Sequence, residues 1–215
     1  MLITGAELFV KALKEEQADT LFAYPGGQVI DLFDALYGEN DIEVILPRHE
    51  QGLVHAADGY ARSTGKVGLC LVTSGPGATN LVTGIAAANY DSVPLVCFTG
   101  QVPTGLIGND AFQEVDIVGI TRSICKYAVT VRKREDLPMI IKKAFYIART
   151  GKPGVVVVDL PKDIQREYGS DEYPKEIEIR GYKPNTSVHA GQIKRAAAVL
   201  NQAEKPVFLI GGGVN

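Results

Sequence analysis

The polar and apolar positions of the chain follow two alternating periods. Apolar residues at helical spacing predict helices, and in the first of these Thr4 and Glu7 form a capping-box pattern. Short continuous apolar runs predict strands, and the run Val155–Val158 is typical of a strand buried on both faces of a parallel sheet. The predicted strands cover 20–24, 42–46, 67–73, 95–99, 127–131 and 154–160, and the predicted helices cover 4–17, 29–37, 51–62, 78–89 and 135–149. This order predicts an α/β fold, a doubly wound, mainly parallel sheet with helices on both faces.

The last quarter of the chain differs in composition from the rest. Residues 166–188 are charged and contain prolines, which predicts a linker. Beyond them, residues 191–203 predict a helix and residues 207–210 an apolar strand that runs into three glycines. A strand followed by glycines is how an α/β domain begins. We therefore expect a first domain over 1–165, then the linker, then the truncated start of a second α/β domain over 189–215.

Composition and charge exclude several classes of protein. Of the 215 residues, 46% are hydrophobic and 22% are charged, which is ordinary for a globular protein. The net charge of −3 without a basic block argues against nucleic acid or a membrane surface as a partner. The chain shows no signal-peptide pattern and no apolar run of membrane-spanning length. Three cysteines without CxxC spacing favour reduced thiols in the cytoplasm, and the three scattered histidines predict no metal site.

Three loops rich in glycine and proline follow predicted strands. They cover residues 23–27, 73–80 and 99–103. Glycine lets the backbone approach a ligand closely, and the ends of parallel strands meet at one edge of the sheet, where ligands bind. Each loop alone could be a simple tight turn, but three on one edge favour a ligand site. Residues 75–80 lack the third glycine of a dinucleotide-binding fingerprint, and a Walker A loop is absent.

One acidic residue stands where a predicted strand hands over to a predicted helix. Glu50 follows the apolar run 42–46 and Pro47, and precedes the helix predicted over 51–62. A carboxyl group at that edge, walled by apolar neighbours, can exchange protons near neutral pH. The alternative is a structural acid in the first turn of a helix, where the helix dipole favours negative charge.

Taken together, these pieces are identifiable as a family pattern. The chain resembles the N-terminal, pyrimidine-binding domain of the thiamine diphosphate (ThDP) enzymes and, within them, the acetolactate synthase family. The matching pieces are residues 24–27, 48–52, 56–62, 73–80, 100–103, 110–114 and 158–163. Glu50 with the Gly-Pro-Gly loop indicates the superfamily. The pairs Phe112-Gln113 and Pro161-Lys162, the latter after Leu160, point more narrowly to acetolactate synthase.

The resemblance implies an activity and a set of site residues. The activity is ThDP-dependent decarboxylation of pyruvate and transfer of the two-carbon unit to a second 2-keto acid, in branched-chain amino-acid biosynthesis. Glu50 would bond N1′ of the aminopyrimidine ring, which helps that ring to take the C2 proton of the cofactor, and Gln113 would reach the reacting centre. Phe112, Gln113 and Lys162 would line the substrate pocket. The implied cofactor-binding residues are Tyr24, Pro25, Gly26, Gly27, Glu50, Thr73, Gly75, Pro76, Asn80 and Lys152. Without the resemblance, Phe112 would be assigned to the core and Lys162 to the solvated surface.

Further cofactors and partners follow from the same resemblance. Mg²⁺ and the diphosphate would be held by a separate C-terminal domain of the partner subunit, so we expect these 215 residues alone to be inactive. FAD is also implied, but Lys152 stands where many members have an FAD-contacting arginine, and lysine lacks the guanidinium fork. A homodimer or homotetramer and a small regulatory subunit complete the expected assembly.

Two alternative functions remain open. One is another ThDP lyase or oxidase, such as glyoxylate carboligase or pyruvate oxidase. Glu50 argues against the carboligase, which has an apolar residue there, and Phe112-Gln113 argues against the oxidase. The other is a non-catalytic dimerisation or ligand-binding module of the same fold. The presence of Glu50 beside all three loops argues against such a module, because an idle site needs no buried acid.

Overall fold

A six-stranded sheet organises residues 1–183 in a computed structural model that describes residues 1–214. The strands are β1 (Leu2–Thr4), β2 (Thr20–Ala23), β3 (Glu43–Ile45), β4 (Gly68–Val72), β5 (Leu95–Gln101), β6 (Tyr127–Thr130), β7 (Val155–Pro161) and β8 (Tyr168–Ser170). The sheet has the order β3-β2-β4-β5-β7-β6, and every neighbouring pair is parallel. The predicted α/β fold is confirmed. All six strands end at the same edge, which we call the carboxyl edge, and begin at the opposite, amino edge.

Helices cover both faces of this sheet. They are α1 (Gly5–Glu15), α2 (Ile30–Leu36), α3 (Glu50–Thr64), α4 (Pro76–Thr79), α5 (Val82–Tyr90), α6 (Ile117–Thr121), α7 (Leu137–Arg149) and α8 (Lys162–Arg166). On one face α1, α2 and α7 bury a cluster in which the rings of Phe9 and Phe98 meet edge to face at 4.9 Å. On the other face α3 and α5 bury Leu53, Val54 and Ile85. Each such side chain stabilises the fold by about 1.5–3 kcal/mol.

The valine run of β7 and the start of α1 behave as predicted. Val156 and Val158 point into the first cluster, whereas Val155 and Val157 point into the second, and all four are fully buried. The side chain of Thr4 accepts a hydrogen bond from the Glu7 backbone N–H, and the Glu7 carboxylate accepts one in return from the Thr4 N–H. The capping box is therefore confirmed, and it starts α1 at Gly5.

The structure corrects two predicted elements. The helix predicted over 78–89 is divided into α4 and α5, because the Leu81 N–H bonds the carbonyl of Ala78, three residues back, and tightens the backbone there. The strand predicted over 207–210 is wrong: these residues are exposed and pair with no other strand in residues 1–214. A strand without a neighbour has no partners for its backbone N–H and C=O groups.

A short antiparallel ribbon, which the sequence pattern does not reveal, joins the two ends of the first unit. Leu2 pairs with Ser170 and Thr4 with Tyr168, so that β1 lies beside β8. The guanidinium of Arg134 donates to the carbonyls of Ile3, Thr4 and Ser170 and so links the two strands of the ribbon. The residue is only 2% exposed. Burial lowers the pKa of Arg134.

Part of the segment predicted as a linker also lies on the first unit. The Tyr173 hydroxyl bonds the carboxylate of Glu16, and the Tyr182 hydroxyl bonds the carbonyl of Thr150. A second unit begins at Pro184 and contains α9 (Ala190–Gln202). Throughout residues 1–214, each helix is too short or too polar to cross a membrane.

Candidate functional site

The three glycine-rich loops leave β2, β4 and β5, which are consecutive strands of the sheet, at its carboxyl edge. The first two loops are in direct contact, because the Gln28 N–H donates to Thr73 Oγ1 at 3.2 Å. A Cβ added to Gly26 would lie 2.5 Å from the Cβ of Thr73. Only glycine fits at position 26 without displacing the second loop.

Glu50 is the first residue of α3, at the same edge of the sheet. The preceding residue, His49, caps the helix by accepting a hydrogen bond from the Gln51 N–H at 3.1 Å. Glu50 Oε2 accepts a hydrogen bond from Asn80 Nδ2 at 2.9 Å, and the side chain is half-buried. Its other oxygen, Oε1, makes no hydrogen bond within residues 1–214 and lies 3.5 Å from where a Cβ on Gly77 would stand. The carboxylate is thus held by one oxygen and presents the other to the Gly-Pro-Gly loop.

The third glycine-rich loop continues into residues 102–116, which complete this edge. We call residues 102–116 the Phe112 loop. It touches the Gly-Pro-Gly loop, because a Cβ on Gly75, whose φ is +58°, would lie 2.6 Å from the carbonyl oxygen of Gln113. Among the described residues, Asp110 and Gln113 are two of only four non-glycine residues with positive φ. Such backbone strain persists only where surrounding contacts enforce it, and it is common at functional sites.

Phe112 is 85% exposed, so it is not a core residue of this chain. An exposed phenyl ring next to a strained glutamine is available to contact a ligand or another chain. Gln113 is also exposed. The backbone of Gln113 therefore lies against the Gly-Pro-Gly loop, Phe112 precedes it with an exposed ring, and the substrate-pocket role of both residues stays a prediction.

The turn that follows β7 anchors two of these loops. The Lys162 ammonium group donates to the carbonyl of Gly27, and the amide of Gln165 donates to the carbonyls of Gln28 and Leu160, each at 2.8 Å. The Asp163 carboxylate accepts from the Thr104 N–H at 3.0 Å. Lys162 is therefore a site-edge residue with a side chain only 19% exposed rather than a solvated surface charge.

Of the ten predicted cofactor-binding residues, nine lie at the carboxyl edge. These are Tyr24, Pro25, Gly26, Gly27, Glu50, Thr73, Gly75, Pro76 and Asn80. Lys152 does not join them. It is exposed and precedes β7, so it stands at the amino edge of a parallel sheet, opposite Glu50.

Sequence reasoning missed four side chains that organise this edge, namely Gln101, Asp159, Asp163 and Gln165. Asp159 lies in a strand that reads as apolar, whereas Gln101 lies in the loop predicted over 99–103 and is the last residue of β5 in the structure; each is nearly fully buried. Burial raises the pKa of Asp159 to about 6, although hydrogen bonds from Thr99, Gln101 and Thr130 and the charge of Arg132 oppose the shift. A polar residue interrupting a buried strand near its carboxyl end was the available signal.

The site offers a single hydrogen-bond acceptor rather than a set of metal ligands. The glycines at 26, 75 and 77 let the loops pack against one another, since a Cβ there would meet Thr73 or Gln113, and Glu50 Oε1 remains as one unengaged acceptor beside them. Within residues 1–214, no three His, Cys, Asp or Glu side chains are grouped so as to hold a metal. A protonated or N–H-bearing ring nitrogen is the natural partner of such a carboxylate.

The sequence matches one family model and several known proteins. Residues 3–120, more than half of the chain, match the family model "Thiamine pyrophosphate enzyme, N-terminal TPP binding domain". The chain is 54% identical over 214 residues to the acetolactate synthase large subunit of Haemophilus influenzae, covering 98% of this chain and 37% of that protein.

Two further relatives agree. The chain is 52% identical over 214 residues to the acetolactate synthase isozyme 3 large subunit of Escherichia coli, covering 99% of this chain and 37% of that protein. It is also 52% identical over 213 residues to a probable acetolactate synthase large subunit of Methanocaldococcus jannaschii, covering 98% of this chain and 36% of that protein. The chain spans little more than a third of each relative. It belongs to the thiamine pyrophosphate enzymes, as a member of their N-terminal TPP-binding domain family.

Proposed function

We propose that this chain supplies the pyrimidine-binding half of the active site in an acetolactate synthase-type enzyme. The complete protein would decarboxylate pyruvate and transfer the two-carbon unit to a second 2-keto acid. The observation that carries the proposal is the open Oε1 of Glu50, held beside the Gly-Pro-Gly loop by the Asn80 bond to Oε2. The printed names of the relatives, all acetolactate synthase large subunits, support the choice of reaction.

Each residue at the carboxyl edge has a role in this proposal. Glu50 accepts a hydrogen bond from the ring nitrogen and exchanges a proton with it, and Asn80 keeps the carboxylate in that orientation. Gly26, Gly75 and Gly77 let the loops pack closely together, and Gly27, where a Cβ would meet nothing within 4 Å, would leave room beside the ring. ThDP, when bound, supplies the carbon nucleophile that attacks a keto carbon. The chain's own contribution is orientation and a proton-transfer group.

Phe112 and Gln113 would contact the substrate. The ring of Phe112 is exposed and could pack against the methyl group of pyruvate, whereas the amide of Gln113 could bond a carboxylate or carbonyl oxygen. Lys162 fixes the Gly27 carbonyl and would stand at the entrance. The positive charge of Lys162 favours approach of an anionic keto acid to this edge.

Two further cofactors enter the proposal differently. Mg²⁺ and the diphosphate would be held by another part of the enzyme, since residues 1–214 group no metal-binding side chains. FAD is implied by the family resemblance, but Lys152 by itself does not fit a flavin site. It is exposed, it carries a single ammonium group, and it stands at the amino edge, away from Glu50.

We further propose a homodimer or homotetramer and a small regulatory subunit. A Cβ on Gly52 or Gly59 would meet nothing within 4 Å, so this chain's own packing does not require small residues on that face of α3. A close contact with another subunit would require them. The words "large subunit" in the relatives' names imply a smaller partner for those proteins. The three free cysteines favour a cytoplasmic location. Light scattering at tens of micromolar (roughly the range of weak interfaces) should give at least twice the mass of one chain; a strict monomer contradicts the assembly.

The test of the function is product analysis with the complete protein. With pyruvate, ThDP and Mg²⁺, we expect carbon dioxide and acetolactate in equal amounts. Acetate formed with consumption of oxygen would instead indicate a pyruvate oxidase. No consumption of pyruvate or of other 2-keto acids by a folded, ThDP-saturated protein would favour the non-catalytic module.

A further inference from the structure

A buried carboxylate that the proposed chemistry does not use lies at the carboxyl ends of β5, β6 and β7. Asp159 is 1% exposed. Its Oδ1 accepts a hydrogen bond from Thr99 Oγ1 at 2.7 Å, and its Oδ2 accepts from Gln101 Nε2 at 3.1 Å and from Thr130 Oγ1 at 3.2 Å. A buried charge is costly unless its hydrogen bonds have a compensating role. Three donors from two neighbouring strands satisfy this one.

The bond to Asp159 fixes which way the amide of Gln101 points. Gln101 Nε2 also donates to the carbonyl of Val115 at 3.0 Å, and Gln101 Oε1 accepts from the Val102 N–H at 2.9 Å. A flipped amide would set its oxygen against two acceptors and its nitrogen against a donor. The carboxylate of Asp159, together with the Val102 N–H, therefore favours the orientation in which Gln101 holds Val115.

Val115 is the point at which the Phe112 loop rejoins the folded core. The other end of the loop is held where Asp163 accepts hydrogen bonds from Thr104. Between these anchors the loop is mainly exposed and does not pack its large side chain into the core. Its position against Gly75 therefore depends on the two polar anchors together with the apolar packing of Val115 at the end of the loop.

We propose that Asp159, acting through Gln101, is a positioning residue for the Phe112 loop. Asp159 does not touch the site. Through Gln101 it holds the Val115 carbonyl, and it thereby keeps the segment with Phe112 and Gln113 beside the Gly-Pro-Gly loop. The catalytic part of this proposal rests on the proposed function, because that function places the substrate at Phe112 and Gln113. The structural part, that Asp159 fixes the loop, does not rest on it.

Two variants separate positioning from simple stabilisation. In Asp159→Leu, a side chain of similar shape offers no acceptor, so the bond from Gln101 Nε2 is lost and the hold on Val115 is weakened. In the double variant Asp159→Asn with Gln101→Glu, the asparagine donates to the glutamate and the buried pair is rebuilt at the same net charge. However, a glutamate at 101 has no N–H to give to Val115. Thr99→Val, which removes only the partner of Oδ1, is the matched control.

Hydrogen–deuterium exchange followed by mass spectrometry reads the loop directly. The reporter amides are Ala111, Glu114 and Ile117, whose N–H groups are hydrogen-bonded within or next to the loop. In Asp159→Leu we expect them to exchange at least about fivefold faster, the scale of one lost hydrogen bond. In the double variant, the β5 and β7 amides around the rebuilt pair should be as protected as in the wild type while the loop stays fast. Thr99→Val should leave the loop slow.

Unchanged loop exchange in Asp159→Leu, or full recovery in the double variant, would overturn the proposal. If Asp159→Leu does not fold, Gln101→Met gives the same test, because Asp159 then keeps Thr99 and Thr130. Exchange needs no substrate, so its outcome is independent of the reaction. In the complete enzyme, we expect the loosened loop to raise the KM for the 2-keto acid more than it lowers C2 proton exchange. A protein that passes the exchange test and consumes no keto acid would remove the proposed function and leave the positioning intact.

Discussion

Two glutamates at opposite edges of the sheet show how one residue type serves structure or chemistry. Glu16, at the amino edge, has a side chain only 1% exposed. Lys142 and Tyr173 bond its Oε1 at 2.8 and 3.1 Å, and Arg149 bonds its Oε2 at 2.6 Å. Glu50, at the carboxyl edge, has one neutral partner and one oxygen without a partner in residues 1–214. A carboxylate whose acceptor sites are occupied holds elements together, whereas one left half-engaged can take a ligand.

The edges differ in backbone as well as in charge. The amino edge is joined by ion pairs such as Lys66 with Asp19, which lowers the pKa of Asp19 to about 2. The carboxyl edge is joined by glycine contacts and by side-chain bonds to loop carbonyls. An ion-pair cluster also exists at the carboxyl edge, where Asp31 pairs with Lys162 and Arg166, so function is expected there from the loop contacts and the half-engaged Glu50 and not from an absence of ion pairs.

The largest expected effect concerns Glu50, the half-engaged glutamate of the comparison. In the complete enzyme, Glu50→Gln keeps the size of the side chain but removes its proton-transfer function. We expect deuterium exchange at C2 of bound ThDP, followed by NMR after acid quench, to slow by on the order of 10²-fold or more. Cofactor affinity should change much less, because most of its contacts lie elsewhere. Exchange as fast as in the wild type would make Glu50 a structural helix-start acid.

Asp159 sharpens the comparison, because it is buried like Glu16 but bonded to neutral donors like Glu50. Burial raises its pKa to about 6, from near 4 in an unfolded chain. The folded unit therefore binds this proton more tightly, and the resulting stability is fully present below about pH 4 and lost as the pH rises through about 6. The loss is on the order of 3 kcal/mol for a shift of about two units.

The measurement is urea unfolding of wild type and Asp159→Asn between pH 4 and 7. The other acids act alike in both proteins, so the difference between the two unfolding free energies isolates Asp159. We expect the free energy of unfolding of the wild type to fall relative to that of Asp159→Asn as the pH rises from 4 to 7. A flat difference would mean that the carboxyl group is hydrated in solution.

The closed end of the comparison predicts a loss of stability without a loss of chemistry. Glu16→Gln leaves Lys142 and Arg149 without a counter-charge. We expect the free energy of unfolding to fall by about 2 kcal/mol, at the modest end for such pairs, because Arg149 is 45% exposed and can be rehydrated. Chemical denaturation measures the loss, and C2 exchange in the same folded protein should match the wild type. Slowed exchange would mean that the two edges are coupled.

The smallest effect concerns glycines rather than acids. Gly59→Ala adds a Cβ where nothing lies within 4 Å, and alanine is the better helix former, so an isolated chain should gain about 0.5–1 kcal/mol. Gly26→Ala, in contrast, forces a Cβ to 2.5 Å from Thr73 and should destabilise the chain. Thermal unfolding of the two variants in parallel should give shifts of opposite sign, because, of these two glycines, only Gly26 lies against another loop.

Much of this molecule could be predicted from its sequence, for reasons of local periodicity. The buried strands and amphipathic helices were recognisable because each repeats its pattern over several residues, and the position of Glu50 followed from their order. The same reasoning could have placed Lys152 at the amino edge, since a residue before a parallel strand lies at its amino end.

What could not be predicted depends on contacts between distant residues. The ribbon of β1 and β8 has only three residues in each strand, too few for a period. The bond from Asp159 through Gln101 to Val115 depends on the register of β5 against β7, in which Gln101 pairs with Pro161. The strand predicted over 207–210 failed for the converse reason, because an apolar run becomes a strand only beside a partner.

The β1–β8 ribbon also sets an order of events in folding. Leu2 is synthesised long before Ser170, yet the two strands and the buried Arg134 between them form one structure. Such distant contacts pay the entropy of closing a long loop and are slow to form. We expect the helices and central strands to collapse first and the ribbon to close last, so that protection of the Ile3 amide would report completion of the whole unit. Residues that are synthesised early would then be among the last to reach their final place.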